Sequence, residues 1–460
     1  MRPPPIEVPT ELDGLLGFSA ECGCGRTHAV ETRQAAIREG ALDEVVPFAR
    51  EIGRGLSLVV VEDRVTAQIA GDRVAELLAS DGHRIARCRV PDGAGDRPHA
   101  DEERLAIVEA ALTGADAAVA VGAGTINDLA KLASYNREIP YVTVATAPSM
   151  NGYTSAIAAI MRGGVKRTVE CHQPIAVVAD LDILCRAPLE LVAAGLGDLE
   201  SKPTSTADYR LAGWLRDEYY CPAPEGVVLE AERRAAESAA GLKVGDPESI
   251  AALSEALILS GISMRLAGSS SPASGGEHLI SHHWDMTAHE QGRVEFWHGS
   301  QVGVATIVTA TLYERLAAID PATLDVDKLV AAQADRAEIE QAIRSRHGAR
   351  ADEVAAEYFS KHLEGAALRA ELERVRDGWA DLWTHLGEVL RPGSRVREIL
   401  EAAGAPITVS RLGLTPDHLR GSFLAAREIR GRFTVLDLAA ELGLLEQLRD
   451  EVLASTGCLG

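Results

Sequence analysis

Several things are missing from this chain, and each absence removes a class of function. No run of about 18 consecutive apolar residues occurs, so no membrane-spanning helix is expected. The N-terminus, MRPPPIEVPTELDG, has no basic segment followed by an apolar one. No secretory signal is therefore read, and a cytoplasmic protein is expected. Positive charge is in short supply: 46 Lys and Arg face 68 Asp and Glu, a formal net charge of −22. That balance argues against nucleic acid or an anionic membrane as partner, while leaving room for a local basic pocket that takes an anionic substrate. The seven cysteines are odd in number and scattered, which suits a reducing compartment better than a disulfide framework. Cys22-Gly23-Cys24 with His28 looks like half a metal site. No second CxxC or CxH pair completes it, so a local loop feature is expected there. Internal repeats and low-complexity tracts are absent as well.

What remains is globular composition, 46% hydrophobic and 25% charged over 460 residues, long enough for two or three domains. From about 50 to 185, short apolar runs alternate with amphipathic helices. Leu58–Val61, Arg84–Val90, Ala117–Val121, Tyr141–Val144 and Ala176–Val178 read as strands, with helices over 66–80, over DEERLAIVEAALTG and from Thr125. Such alternation predicts a parallel sheet with helices on both faces. After Ala187-Pro188 the periodicity is helical with hardly a strand: 188–213, 227–241, 247–267, 276–290 and 300–318 are expected helices. The highly charged stretch 320–390 is expected to form exposed helices. The chain therefore divides into an α/β domain over 1–187 and a mostly α domain over 188–460.

Three features carry chemistry. The third strand runs into Gly122-Ala123-Gly124 and straight into a helix. A helix N-terminus presents free N–H groups and about half a positive charge to an anion, and glycine lets a pyrophosphate approach the backbone. This is GxG without the third glycine of the usual dinucleotide fingerprint. Its place at the carboxyl end of a parallel strand is where open α/β sheets bind ligands. Glu62 and Asp63 end the first strand, where a carboxylate can accept hydrogen bonds from ribose hydroxyls. The second feature is the loop Thr146–Ser155, dense in hydroxyls and suited to phosphate or nicotinamide contacts. The third is a histidine cluster: five of the thirteen histidines lie in SGGEHLISHHWDMTAHEQGRVEFWH, downstream of a GLGD turn that ends in Asp198. His278 and His282 share a helix face, and His298 precedes a glycine at a loop-to-helix junction. Imidazole and carboxylate are the usual ligands of a divalent transition metal, and on the residues alone His278, His282, His298 and Asp198 compete for the role.

These segments resemble a known family. GAGTINDLAK, TAPSMNGYTS, GLGDLESKPTSTADYRLA, SGGEHLISHHWDM and WHGSQVGVAT stand in the same order in the sn-glycerol-1-phosphate dehydrogenases, and REIRGRFTVLDLAAELG is similar to that family's closing segment. The family belongs to the iron-containing alcohol dehydrogenase and dehydroquinate-synthase-like superfamily. The resemblance implies a dehydroquinate synthase-like fold, with a Rossmann-like domain for NAD or NADP and an all-α C-terminal domain holding one divalent metal. It implies Asp198, His278 and His298 as metal ligands, with His282 as a proton-relay residue. Many superfamily members place a further histidine four residues after the aspartate; here Lys202 stands there, so a three-ligand site is expected. The phosphate-binding turn maps to Gly122, Gly124, Thr125 and Asp128, with Thr146, Ser149 and Tyr153 along the cofactor and substrate. Asn151 replaces an aspartate common in relatives and would touch substrate, as would Lys202 by offsetting a substrate phosphate. His283 and His289 are left as helix-face residues.

The implied reaction is reversible, metal-assisted hydride transfer between NAD or NADP and dihydroxyacetone phosphate or a related keto-polyol phosphate, with His282 or a water supplying the proton. The alternative is a metal-dependent polyol or cyclitol dehydrogenase of the same fold. Imidazole and carboxylate ligands suit zinc first, then nickel or iron(II). A homo-oligomer is expected by analogy with the superfamily.

Overall fold

The computed structural model describes residues 5–163 and 165–460, with the side chains of 289 and 290 also outside the description. His289 therefore falls outside the described side chains. Ten strands occur among the described residues, and none follows Asp180: β1 (Ser19–Glu21), β2 (Thr27–Ala29), β3 (Gln34–Arg38), β4 (Ser57–Glu62), β5 (Arg84–Arg89), β6 (Ala117–Gly122), β7 (Tyr141–Ala145), β8 (Ile157–Arg162), β9 (Val165–Glu170) and β10 (Ala176–Asp180). Six of them form one sheet in the order β3-β10-β7-β6-β4-β5, parallel throughout. β6, β7 and β10 are buried along their whole length, which is why they are rich in Val and Ala; the edge strands β3 and β5 are partly exposed. Alternate residues serve opposite faces. Val59 and Val61 pack with Ile126 and Leu129, whereas Leu58 and Val60 pack with Phe48, Val74 and Leu78.

The chain runs from β4 outward to β5, then returns to the other side of β4 as β6. Strand order therefore reverses between β4 and β6. The crevice above such a switch point is open because the two flanking connections leave in opposite directions. Asp63 and the Gly122–Gly124 turn lie at its lip.

Seven helices position the rest of the site: α1 (Gly124–Asn136), α2 (Leu189–Leu199), α3 (Lys202–Arg216), α4 (Pro222–Glu237), α5 (Pro247–Ala267), α6 (Gly276–Glu290) and α7 (His298–Ala317). The single helix expected over 188–213 is two, α2 and α3, broken at Glu200 and Ser201. α5 is long and apolar enough to cross a membrane, but 78% of its most apolar window is buried inside the protein. It packs with Leu12, Leu15 and Val177 from the N-terminal part.

The stretch 320–390 is helical as expected, yet it is not simply exposed. Its helices bury Ile343, Val354, Leu372 and Leu382 in the same core as Val304, Val308 and Leu312 of α7. Most of their charge sits on the outer faces, with Glu371 and Lys361 buried in ion pairs to Arg216 and Asp437, and composition alone hid the apolar stripe. The GLGD segment also differs from the expected turn: Gly195 and Gly197 lie inside α2, where they allow close approach. A Cβ on Gly197 would stand 2.3 Å from the Gly299 carbonyl oxygen, and one on Gly299 would stand 1.8 Å from the Ala194 carbonyl oxygen. Only glycine lets α2 and α7 cross this closely.

Candidate active site

A cavity of about 750 Å³ opens above the switch point, lined on one side by Asp63, Gly124, Thr125, Thr146 and Ser149 and on the other by Asp198, His278, His282 and His298. The crossing just described brings the last turn of α2 against the first turn of α7, and so brings Asp198 to His298. α6 begins nearby with His278 in its first turn. The result is one ligand atom from each of Asp198, His278 and His298, all within 4.8 Å of one another.

The surroundings prepare each group. His278 Nδ1 faces the Glu277 carboxylate at 2.8 Å, which leaves Nε2 directed to Asp198 Oδ1 at 3.5 Å. Glu277 is in turn held by the Gly275 N–H and the Thr204 hydroxyl. His298 Nδ1 lies 3.2 Å from the Ser281 hydroxyl, which donates to Gln301. Burial, followed by the nearby Lys166 charge, pushes the His298 imidazole down to about 3, so it is neutral and carries a lone pair at physiological pH. Burial by itself would raise the Asp198 carboxyl, but Lys202 and then His278 outweigh it and hold it well below the usual carboxylate range. An anionic oxygen and two imidazoles, each ring steadied at its second nitrogen, form a donor set that fits a divalent transition metal.

His282 stacks on His298 with ring centroids 5.6 Å apart and planes 21° apart. Its Nδ1 is buried without a hydrogen-bond partner among the described atoms. Burial, then the neighbouring His298, places its pKa well below the ordinary imidazole value. The ring is therefore neutral at rest, the state from which the expected relay would accept a proton.

Other expected residues are distributed unevenly. Gly124 and Thr125 open α1, whose cap residue Ala123 gives no side-chain hydrogen bond to the free N–H groups, and all three line the cavity. Gly122 does not line it; a Cβ there would meet Ile126 at 2.6 Å, so this glycine serves helix-to-strand packing. Asp128 reaches the cavity wall while accepting from the Ala159 N–H, and burial raises its carboxyl. Asp63 caps a short helix with one carboxylate oxygen, which accepts from Val65 and Thr66 N–H. Glu62 is fully buried and paired with Arg87, away from the cavity; its expected ribose role is corrected to an internal ion pair. Tyr153 is buried, its hydroxyl donating to the Ala147 carbonyl, and it braces the Thr146–Ser155 loop without touching the cleft.

Lys202 is also corrected. It is fully buried behind Asp198, with Nζ donating to Asp198 Oδ1 at 3.2 Å, Ser201 Oγ at 3.0 Å and the Ala273 carbonyl at 2.9 Å. It compensates the aspartate and does not face a substrate. Asn151 joins it: its amide donates to Asp198 Oδ1 at 3.0 Å and its backbone N–H to Oδ2 at 3.1 Å. Asn151 also lines the cavity, so it both orients Asp198 and borders the substrate space. His283 is a buried helix-face residue, bonded to the Ser422 hydroxyl at 2.9 Å.

Sequence reasoning missed the cations of the cleft. Lys166, on β9, lines the cavity and donates to Asp285 Oδ2 at 2.8 Å. Burial works against its charge, but Asp285 and Glu295 together raise its ammonium pKa. Arg97 lines the cavity too, stacked on the Trp297 ring at 4.2 Å. β8 alternates half-buried and buried residues only over 157–160 and β9 keeps no such alternation, so period-two analysis of the sequence does not single out Lys166.

Comparison with known proteins shows that the fold is that of the iron-containing alcohol dehydrogenases. The family model described as iron-containing alcohol dehydrogenase matches residues 36–188. Among solved structures, glycerol dehydrogenase from Schizosaccharomyces pombe superposes with a TM-score of 0.57 at 15% identity, covering 93% of this chain and 92% of that one. Maleylacetate reductase from Agrobacterium tumefaciens gives 0.56 at 16% identity, covering 92% and 98%. Within that class, glycerol-1-phosphate dehydrogenase (NAD(P)+) of Bacillus licheniformis is 32% identical over 432 residues, 93% of this chain and 94% of its own length. The same enzyme of Halalkalibacterium halodurans is 38% identical over 298 residues, 64% of this chain and 74% of its own length. The chain belongs to the glycerol-1-phosphate dehydrogenase family, and it is an NAD(P)-dependent oxidoreductase acting on a CH–OH group of a small substrate.

Proposed function

We propose that the chain interconverts dihydroxyacetone phosphate and sn-glycerol 1-phosphate, using NAD or NADP and one divalent metal on Asp198, His278 and His298. The convergence of those three donors at a cleft shared with the α1 N-terminus supports this reading most strongly. Zinc is the first choice, then nickel or iron(II). A bound divalent ion supplies Lewis-acid stabilisation of the negative charge that develops on the substrate oxygen.

In this reading the 1–187 part holds the dinucleotide and the 188–460 part holds the metal. The free N–H groups of Gly124 and Thr125 take the pyrophosphate, where the helix dipole favours negative charge. The open oxygen of Asp63 faces the ribose, while Thr146 and Ser149 border the nicotinamide. Lys166 and Arg97 receive the substrate phosphate. Asn151 and Lys202 keep Asp198 anionic and fixed. His282, neutral and unpartnered at Nδ1, takes up or returns the substrate proton at that atom.

Oxidation of NADH and NADPH is followed with dihydroxyacetone phosphate and with unphosphorylated dihydroxyacetone, beside reduction of NAD by glycerol and inositol. Preference for the phosphorylated ketone supports the proposal. Turnover of glycerol or inositol without it assigns a polyol or cyclitol dehydrogenase and overturns the substrate. A homo-oligomer is part of the proposal, and light scattering of the purified protein tests it.

A further inference from the structure

The Cys22-Gly23-Cys24 motif with His28 looked incomplete in sequence because its fourth member is 193 residues beyond His28. Cys221, the residue preceding α4, closes the set: one atom from each of Cys22, Cys24, His28 and Cys221 lies within 4.8 Å of the others. None of the four lines the active-site cavity.

We propose that these residues form a second, structural metal site of Cys3His type, closed to substrate and suited to zinc. Four observations carry it. First, spacing: a tetrahedral ion with Zn–S of about 2.3 Å and Zn–N of about 2.0–2.1 Å requires S···S near 3.8 Å and S···N near 3.5 Å. The measured separations are 3.9 Å for Cys22 Sγ to Cys221 Sγ, 3.5 Å for Cys24 Sγ to His28 Nε2, and 3.4 Å for Cys221 Sγ to His28 Nε2. A disulfide would need its sulfurs at about 2.05 Å.

Second, the imidazole is preset. His28 is fully buried, and its Nδ1 lies 2.7 Å from the Leu266 carbonyl at the end of α5. A carbonyl only accepts, so Nδ1 carries the hydrogen, and in the neutral ring Nε2 offers its lone pair to the centre of the cluster. This is the arrangement that orients metal-bound histidines generally.

Third, polar hydrogens converge on the sulfurs. Cys22 Sγ receives the backbone N–H of Ile6 and of Cys24, each at 3.5 Å, and the Tyr219 hydroxyl lies 3.4 Å from Cys24 Sγ. The Arg26 guanidinium covers the ring of that tyrosine at 3.4 Å. Fourth, the loop is built as a knuckle. The β1–β2 hairpin turns through Cys22–Arg26, closed by the Gly25 N–H to the Cys22 carbonyl, with Gly25 at φ 90° where only glycine sits without strain. Four protein ligands leave no open position, so the site's work is mechanical. It ties the N-terminal hairpin to the start of α4 and, through His28, to the end of α5.

The test uses the full-length protein. Metal is counted by mass spectrometry and its neighbours are read by X-ray absorption at the zinc edge, in wild type, Cys24→Ser and Cys221→Ser. Cobalt(II) exchange of all three adds an optical readout, thiolate-to-cobalt charge transfer. The proposal expects a second equivalent of metal with sulfur neighbours at about 2.3 Å and the charge-transfer band, both lost in the serine variants. Wild type with no sulfur-bound metal, a Cys22–Cys221 disulfide by mass, or a Cys221→Ser protein that keeps its full sulfur-bound equivalent would each overturn it.

Discussion

Gly197→Ala is the perturbation that reaches the candidate active site without touching a ligand. A Cβ at this position would sit 2.3 Å from the Gly299 carbonyl oxygen, a backbone atom inside α7 that cannot swing aside. Ordinary contact requires about 1 Å more, and that displacement must come from separating α2 and α7. The two helices carry Asp198 and His298, so the donor set opens by a similar amount. Overpacking of this kind costs about 1–3 kcal/mol of stability, and misplacing reacting groups by about 1 Å costs about 100-fold in rate. Gly226→Ala is the matched control: it lies within α4 with no atom inside 4 Å of an added Cβ. There, alanine should be neutral or should stabilise by about 0.5–1 kcal/mol through helix propensity. Urea denaturation and kcat/KM for reduction of dihydroxyacetone phosphate measure both. Gly197→Ala is expected to lose about 1–3 kcal/mol and about two orders of magnitude in kcat/KM. Wild-type stability with activity inside two-fold, or equal damage from Gly226→Ala, would refute the close-crossing argument.

Three further expectations follow from individual side chains. His283 is buried neutral, its imidazole pushed down to about 3 by burial and then by His347. The unfolded chain takes up that proton near pH 6.5 and the folded chain does not until about 3, so stability at this residue is complete above pH 6.5 and falls as pH drops towards 3. At pH 5 the loss is about 2 kcal/mol, and His283→Gln should reduce the pH 7.5 to 5 stability difference by about that amount in urea titrations. An unchanged difference would contradict it. Glu62→Gln should leave the dinucleotide KM within two-fold while lowering stability by about 1–2 kcal/mol, because Glu62 is buried against a partly exposed Arg87. A large rise in cofactor KM would restore a ribose role. Lys166→Met should raise KM for dihydroxyacetone phosphate by about ten-fold or more with little change for the unphosphorylated ketone, as loss of one charge-assisted hydrogen bond implies. Equal effects on both substrates would remove Lys166 from phosphate recognition.

The parts of the molecule legible in sequence are those set by local patterning. β4, β6, β7 and β10 are near-continuous apolar runs because both faces of a parallel strand are covered, and α5, α6 and α7 keep a helical period. β3 escaped notice because an edge strand such as QAAIR buries only one residue fully. That Asp198, His278 and His298 belong together was recoverable from ordered motifs. Their arrangement was not, because it depends on glycines that look like a turn in one dimension and act as a helix crossing in three. Lys202, Glu62 and Tyr153 were misassigned for a related reason: a motif gives the residue, whereas the packing decides whether its side chain faces the cleft. Cys221 shows the limit most plainly, since nothing near it in sequence marks it as the partner of Cys22, Cys24 and His28.

Hydride transfer, as proposed, depends on a metal at Asp198, His278 and His298. The direct measurement is NADH- and NADPH-linked reduction of dihydroxyacetone phosphate by protein stripped with chelator, with metal counted, before and after return of one equivalent of zinc or nickel. Activity should disappear with that equivalent and return with it. Undiminished turnover by protein shown to hold no metal outside its cysteine ligands would contradict the central claim.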